Sequence, residues 1–401
     1  MTMTSPHPPV SDIDIYSDAV LDDPYEAYRT LRDIGPVVQL ASQPVWVITR
    51  YADVRNALAN AEVFSSGAGV GVSDDMNALQ AGSVLASDDP QHALLRSILS
   101  EKVSPRALGK LKTHIDEQAD SLVASVVSAG RFDAVSDLAA RLPVSVVADL
   151  IGLPATGREL LLPGADAMFA SFGPMDERLV GRLPEVMAYV QYMTEMASRE
   201  NLAPGSWGAA ILDAVDDGRL GPESAMPLLA AYLIASMDTT VHALGNYIRF
   251  LAEDRDLWNR LKADPSLIGK GFEENLRLES PAQSFTRRTT RAVDVDGTVI
   301  PEGTRVAVCF ASANRDERHY PDPDRFDIDR GAFDHLAFGY ATHGCAGQGL
   351  ARMENQALIS ALLRRVERID ITEEPRRHPH PIIRGLEHLQ VAVVPARGTG
   401  R

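Results

Sequence analysis

Cysteine is almost absent, with two in 401 residues. That excludes a disulfide framework and any four-cysteine metal site, and it fits a reducing compartment. Basic residues are also in short supply. Lys and Arg total 39 against 55 Asp and Glu, a net charge of −16, which argues against a general nucleic-acid binder because that role needs a basic face. No uninterrupted apolar run reaches the ~18–20 residues of a membrane span; the longest, Leu228 to Ala235, is well short of it. The opening residues, MTMTSPHPPVSD, hold no apolar core of a secretory leader, and residues 1–12 read as a flexible tail. No 20–50-residue repeat and no low-complexity linker interrupts the rest of the chain. Residues 13–401 are therefore expected as one domain, cytoplasmic, with no nucleic-acid or membrane partner.

What is present is an ordinary globule, 45% hydrophobic and 23% charged. It is long enough to bury a large core and still enclose a cofactor. The coarse pattern is mainly α, an α+β chain with small peripheral sheets. Helical spacing predicts helices over 24–33, 52–60, 90–102, 105–129, 133–152 (capped by Asp133), within 157–200, and over 264–279 and 348–367. Residues 222–253 form a long candidate helix, apolar on nearly every face around Leu228 to Ala235, hence buried. Val37 to Tyr51 alternates around Ser42-Gln43-Pro44, a hairpin pattern. Strand signals return at 292–310 and at Leu389 to Val394.

The chemistry centres on Cys345, in Phe338-Gly339-Tyr340-Ala341-Thr342-His343-Gly344-Cys345-Ala346-Gly347. A lone cysteine is ordinarily a small buried hydrophobe. Here glycines on both sides let backbone N–H groups approach the sulfur, and a helix starts directly after it, so its dipole favours a thiolate. Such a thiolate can ligate haem iron. Three further groups stand out. Glu274 and Arg277 share a helix face, alone no more than a weak ion pair. His92 and Arg96 are four apart. Ala235-Ser236-Met237-Asp238-Thr239-Thr240 places a carboxylate within the buried helix, costly unless paired or used, and a threonine there can bond back to the i−4 carbonyl. Cys309 sits in an apolar strand and reads as packing; Arg376-Arg377-His378 reads as a solvated turn; the glycines of 67–71 lack the spacing of a dinucleotide loop and read as a loop over a pocket.

Together these segments resemble the cytochrome P450 superfamily, in its order and spacing. Phe338, Gly339, His343, Cys345 and Gly347 match its cysteine-ligand loop; Ala341 stands where the family usually has Gly. Glu274 and Arg277 match its Glu-x-x-Arg, with Arg325 in the place of the third, structural partner. His92 and Arg96 match its His-x-x-x-Arg, and with Arg287 and His343 the resemblance implies partners for the haem propionates. Asp238 and Thr239 match the acid–alcohol pair beside the haem, which would supply protons for O–O cleavage; Ser236 replaces a usual Gly. The implied protein is a single triangular helix-rich domain holding haem b, a monooxygenase using O2 and two electrons. With no flavin or iron–sulfur module in the chain, electrons would come from a ferredoxin and its NAD(P)H-dependent reductase. Docking would use cations such as Arg106, Lys110, Lys112 and Arg352.

The segments 277–285, 312–316 and 384–387 resemble the bacterial branch that oxidises or O-demethylates para-substituted benzoates. Candidate substrate contacts are Val72, Phe169, Phe172, Ala235, Ser284 and Phe285, with the two phenylalanines three apart on a predicted helix and suited to a planar ring. That branch anchors the carboxylate with cationic and hydroxyl groups, whereas residues 63–95 here contain no Lys or Arg and the distal helix offers Ala230 and Ala231. The expectation is a small neutral or phenolic aromatic; a para-substituted benzoate, a terpenoid or a secondary metabolite is the alternative. Peroxygenase and O2-free rearrangement chemistry are disfavoured by the intact Asp238-Thr239. A haem-binding sensor without turnover, and a cofactor-free helical binding protein, are the readings of another class.

Overall fold

A computed structural model describes residues 8–396. Its centre is the long helix Ala225–Glu253. Leu229, Leu233, Met237 and Val241 are buried at every fourth position along it, a ridge that packs against helices Arg141–Ile151, Leu161–Ala170 and Leu267–Glu279. By length and composition the stretch Pro222–Glu253 could cross a bilayer, but 67% of its apolar window is buried inside the protein. Its hydrophobicity is that of a core helix. Behind it, helix Gln348–Arg365 lies along Lys112–Ala129. These elements share one continuous apolar core that runs from Leu95 to Val393.

A six-stranded sheet flanks the helices, in the order Val10–Ser11, Val37–Leu40, Trp46–Ile48, Arg305–Cys309, Ser284–Thr289, Phe64–Ser65. The expected hairpin is present, with Val37 opposite Ile48. The expected tail ends earlier than residue 12. Val10 and Ser11 pair in parallel with Gln39 and Leu40, and Gln39 and Ala41 donate to Pro9 and Ser11, so an edge that would otherwise carry unpaired backbone groups is satisfied. Residues 1–7 lie outside the described residues.

Two long predicted helices are broken. Residues 105–129 form Pro105–Gly109 and Lys112–Ala129, the break falling just after a glycine. Asp133 does cap, accepting from the Val135 N–H at 2.9 Å, but the turns Ala134–Ala139 are wide before Arg141–Ile151 becomes regular. Residues 376–378 are not a solvated turn. A short strand, Arg376–Arg377, pairs with Leu386–His388. Arg377 then reaches buried Glu279 at 3.1 Å and His378 reaches Asp166 at 2.7 Å.

Candidate active site

The cysteine loop is built by two left-handed residues, Gly339 (φ 69°) and Ala341 (φ 54°), and by Cys345 donating its N–H to the Phe338 carbonyl at 2.7 Å. Arg96 donates to the Gly344 carbonyl at 2.6 Å, tying helix Gln91–Val103 to the loop. Burial pushes the Cys345 thiol up, while the N–H groups of Gly347 and Gln348 and the charges of Arg96 and Arg352 pull it back. The backbone at Ala341 explains why glycine suits that place: an alanine in the left-handed region costs ~1–2 kcal/mol. Ala341→Gly recovers that strain and gives up ~0.4–1 kcal/mol to unfolded-chain entropy. A net gain of about 0.5–1 kcal/mol is expected, read as a higher urea midpoint; a lower midpoint would show that the alanine is not strained.

Four cationic or donor side chains converge beside this loop. The His92 and His343 rings lie 4.3 Å apart, and the Nε2 atoms of both are buried without a hydrogen-bond partner. Arg287, buried on strand Ser284–Thr289, donates among the described residues only to the neighbouring Thr286 carbonyl, 2.7 Å away. Burial lowers Arg287 to about 10, and burial with the charges of Arg287, His92 and Arg96 drives His343 down to about 3. Asp88, the nearby carboxylate, is bonded by Ser65 and by the N–H groups of Ser66 and Gly67. Unpartnered donors and mutually repelling cations make a site suited to a second, dianionic group.

On the long helix, Asp238 is 1% exposed with Oδ2 unpartnered among the described residues. Thr239 donates to the Ala235 carbonyl at 3.1 Å, the back-bond expected of it. Ala235 is exposed in mid-helix although Met237 and Asp238 beside it are buried, so the helix is not packed shut at this point. Phe169 and Phe172 have ring centroids 5.9 Å apart, and Phe172 meets Phe285 edge-on at 5.4 Å. Val70, Ile382 and Ile383 complete that cluster, and Ile234 of the long helix packs against it. Two expected contacts lie elsewhere. The Val72 side chain belongs to the cluster of Ile15, Val38 and Ala307, although its N–H donates to the Phe172 carbonyl at 2.9 Å; Val70, before Gly71, enters the aromatic cluster instead. Ser284 neighbours Phe285 on a strand and so faces the opposite side of the sheet, with Thr286.

Glu274 and Arg277 form the expected pair, bidentate at 2.8 and 2.9 Å with Arg277 fully buried. The third partner is not Arg325. Its side chain is 67% exposed and turned to Asp327, and only its carbonyl accepts from Arg277. Arg330 fills the role, 3.0 Å from Glu274. Sequence reading also missed Glu273, which receives Arg352 at 2.6 Å and His335 at 3.1 Å and so links three elements around the cysteine loop. Adjacent acids, Glu273-Glu274, on a helix that buries one face were the available signal.

Residues 270–386 match the family model described as cytochrome P450. Cytochrome p450 CYP199A2 of Rhodopseudomonas palustris is 39% identical over 96% of this chain and 94% of its own length. The chain belongs to the cytochrome P450 family. The monooxygenase PikC of Streptomyces venezuelae is 32% identical over 99% of this P450 and 98% of its own length. The solved structure of CYP109Q5 from Chondromyces apiculatus superposes with a TM-score of 0.82 at 31% identity, over 96% and 99% of the two chains. The protein is thus a haem-thiolate monooxygenase with haem b as its cofactor. Its residues fit that group: one thiol in a cradle of backbone N–H groups, the unpartnered Nε2 atoms of His92 (whose Nδ1 is 3.3 Å from Asp89) and His343, and two arginines, Arg96 and Arg287, bonded to carbonyls. When bound, haem b supplies O2 activation and insertion of one oxygen atom, with electrons from a redox partner.

Proposed function

We propose that this P450 hydroxylates or O-demethylates a small neutral or phenolic aromatic, drawing electrons from a ferredoxin and its NAD(P)H-dependent reductase. In this reading Cys345 is the iron ligand. His92, Arg96, Arg287 and His343 hold the propionates, and Asp238 and Thr239 hold and pass protons above them. The aromatic cluster carries the substrate assignment. Phe169, Phe172 and Phe285 are joined by Val70, Leu85, Ile234, Ile382 and Ile383, and residues 63–95, which supply Val70 and Leu85, contain no Lys or Arg. Arg305, which reaches the loop carrying Val70, is committed to the carbonyls of Ala68, Gly69 and Gly71 and to Asp74. Rings so arranged clamp a flat substrate, while a buried carboxylate without a partner costs several kcal/mol. Spin-state titration should therefore show 4-methoxyphenol binding at least ~10-fold tighter than 4-methoxybenzoate, a difference of ~1.4 kcal/mol or more. Tighter binding of the benzoate would overturn the assignment.

Docking of the ferredoxin is assigned to the exposed Arg106, Lys110 and Lys112, on helices that pack against Gln348–Arg365 behind the cysteine. Arg352 is engaged by Glu273 and is a poorer probe of docking, because its loss also disturbs that buried acid. Charge reversal at Arg106 and Lys110 slows ferredoxin-driven turnover and leaves peroxide-driven turnover intact, as expected for an electrostatic encounter; equal loss in both would refute this face.

A further inference from the structure

Asp238 sits in the middle of a buried helix, and an acid that gives up protons there must regain them. Its Oδ1 lies 3.4 Å from His242 Nε2, one turn along the same helix. The other nitrogen of that ring, Nδ1, is buried and has no partner among the described residues. Gly385 backs directly onto this nitrogen: a Cβ there would overlap it, so the imidazole holds its place only because residue 385 is glycine. The His242 ring is stacked nearly parallel on His378, centroids 5.6 Å apart and planes 12° apart. His378 Nε2 is 2.7 Å from Asp166 Oδ1. One polar atom each of Asp166, His242 and His378 lie within 4.8 Å of one another, a gap that one bridging water spans. The His378 side chain is 22% exposed, so the series starts at solvent and ends at Asp238.

We propose that His378 and His242 are the route by which Asp238 is reprotonated from solvent, with Asp166 and Arg182 as the charges that hold His378 in place. The inference rests on the monooxygenase reading of the site. His378 takes a proton from solvent and passes it across the water-sized gap to His242 Nδ1; His242 releases the proton on Nε2 to Asp238 Oδ1. Only protons move, one entering for each that Asp238 yields. The groups facing the route are Asp238 and His242 on the long helix, Asp166 on Leu161–Ala170, Arg182 and its partner Glu185 on Glu177–Met196, and His378 and His380 on the segment after Arg377. His380 is not a carrier. Its Nδ1 accepts the N–H groups of Ile382 and Ile383, so Nε2 is the protonated nitrogen and donates to the Asp166 carbonyl; burial holds it neutral, down to about 4. Burial also opposes charge on His378, but the hydrogen bond and charge of Asp166, helped by Asp238, keep it above its ordinary value. A divalent metal on the same ligands is disfavoured because Arg182 already pairs with the Asp166 carboxylate.

Two measurements test the route. The first needs no turnover: in the holoenzyme, the His378 ring titration followed by NMR moves to lower pH in Asp238→Asn, because a charge that supports the imidazolium is gone. The second compares His242→Gln and His378→Gln with wild type. O2-driven turnover falls about 10-fold with a larger solvent isotope effect, less than the ~10²–10⁴ of a lost general acid because water partly substitutes. Peroxide-driven turnover falls far less. An unmoved His378 titration together with unchanged isotope effects would overturn the route. So would one equivalent of tightly held zinc that is lost in His378→Gln, since the cluster would then be a metal site. A wild-type enzyme that fails to oxidise any aromatic would instead count against the proposed substrate, and the titration result would stand apart from it.

Discussion

Cys345→His is expected to move the ferrous carbonyl band from the position of a thiolate-ligated haem to that of an imidazole-ligated haem. O2-driven product formation should fall by at least ~100-fold, the rate equivalent of ~2.7 kcal/mol in the barrier. The cause lies in the loop. Burial disfavours a thiolate at Cys345, and only the N–H groups of Gly347 and Gln348 and the charges of Arg96 and Arg352 oppose that. Those contributions offset burial only in part and the thiol stays raised; a coordinated thiol is deprotonated outright by the bound cation. Once formed, the thiolate is held by the same N–H groups, and its electron density favours O–O cleavage. Histidine supplies a neutral ligand without that push. The loop itself should survive, since the bonds shaping it are the Cys345 N–H to Phe338 and Arg96 to Gly344, none of which uses the sulfur. A band that does not move would mean the ligand lies elsewhere.

The parts of this site that were legible in the sequence are those where local chemistry forces the residue. The glycine-flanked cysteine, Asp133 as a cap and the alternating hairpin at 37–48 each obey short-range rules. Helices Trp207–Asp216 and Arg255–Ala263 could have been read the same way, from the caps Ser206 and Asp254 and from Leu257, Trp258 and Leu261 on one face. What could not be read was pairing across the chain. Trp46–Ile48 lies parallel to Arg305–Cys309, more than 250 residues away, and nothing in either strand names its partner. For the same reason Arg376-Arg377-His378 looked solvated. Its partners, Glu279 and Asp166, come from two distant helices. The expectation of Arg325 fails for a subtler cause: Arg330 stands five residues further on in the same segment, and only the fold decides which side chain turns inward to Glu274.

The buried glutamate and its arginines set the second large effect. Arg277→Met should cost ~3–5 kcal/mol of stability, because one partner of a buried pair is removed and the other is stranded. Glu274 is 1% exposed and Arg277 fully buried. The Arg277 guanidinium also holds the carbonyls of Asn314 and Pro323, at 2.8 and 2.7 Å, so its loss leaves the segment running toward the cysteine loop unsatisfied as well. Arg330→Met should have an effect of the same sign but smaller, since Arg330 makes one contact to Glu274 at 3.0 Å, its other bonds go to exposed carbonyls, and Asp327 still donates its N–H at 2.9 Å. Arg325→Ala should stay within ~0.5 kcal/mol of wild type, as surface substitutions do, because the carbonyl that Arg277 uses is backbone and survives the change. Chemical denaturation with a common slope reads all three. The order Arg277, Arg330, Arg325 is set by the geometry. A large loss from Arg325→Ala with none from Arg330→Met would restore the sequence assignment, and would mean that Arg325 rather than Arg330 neutralises the buried glutamate.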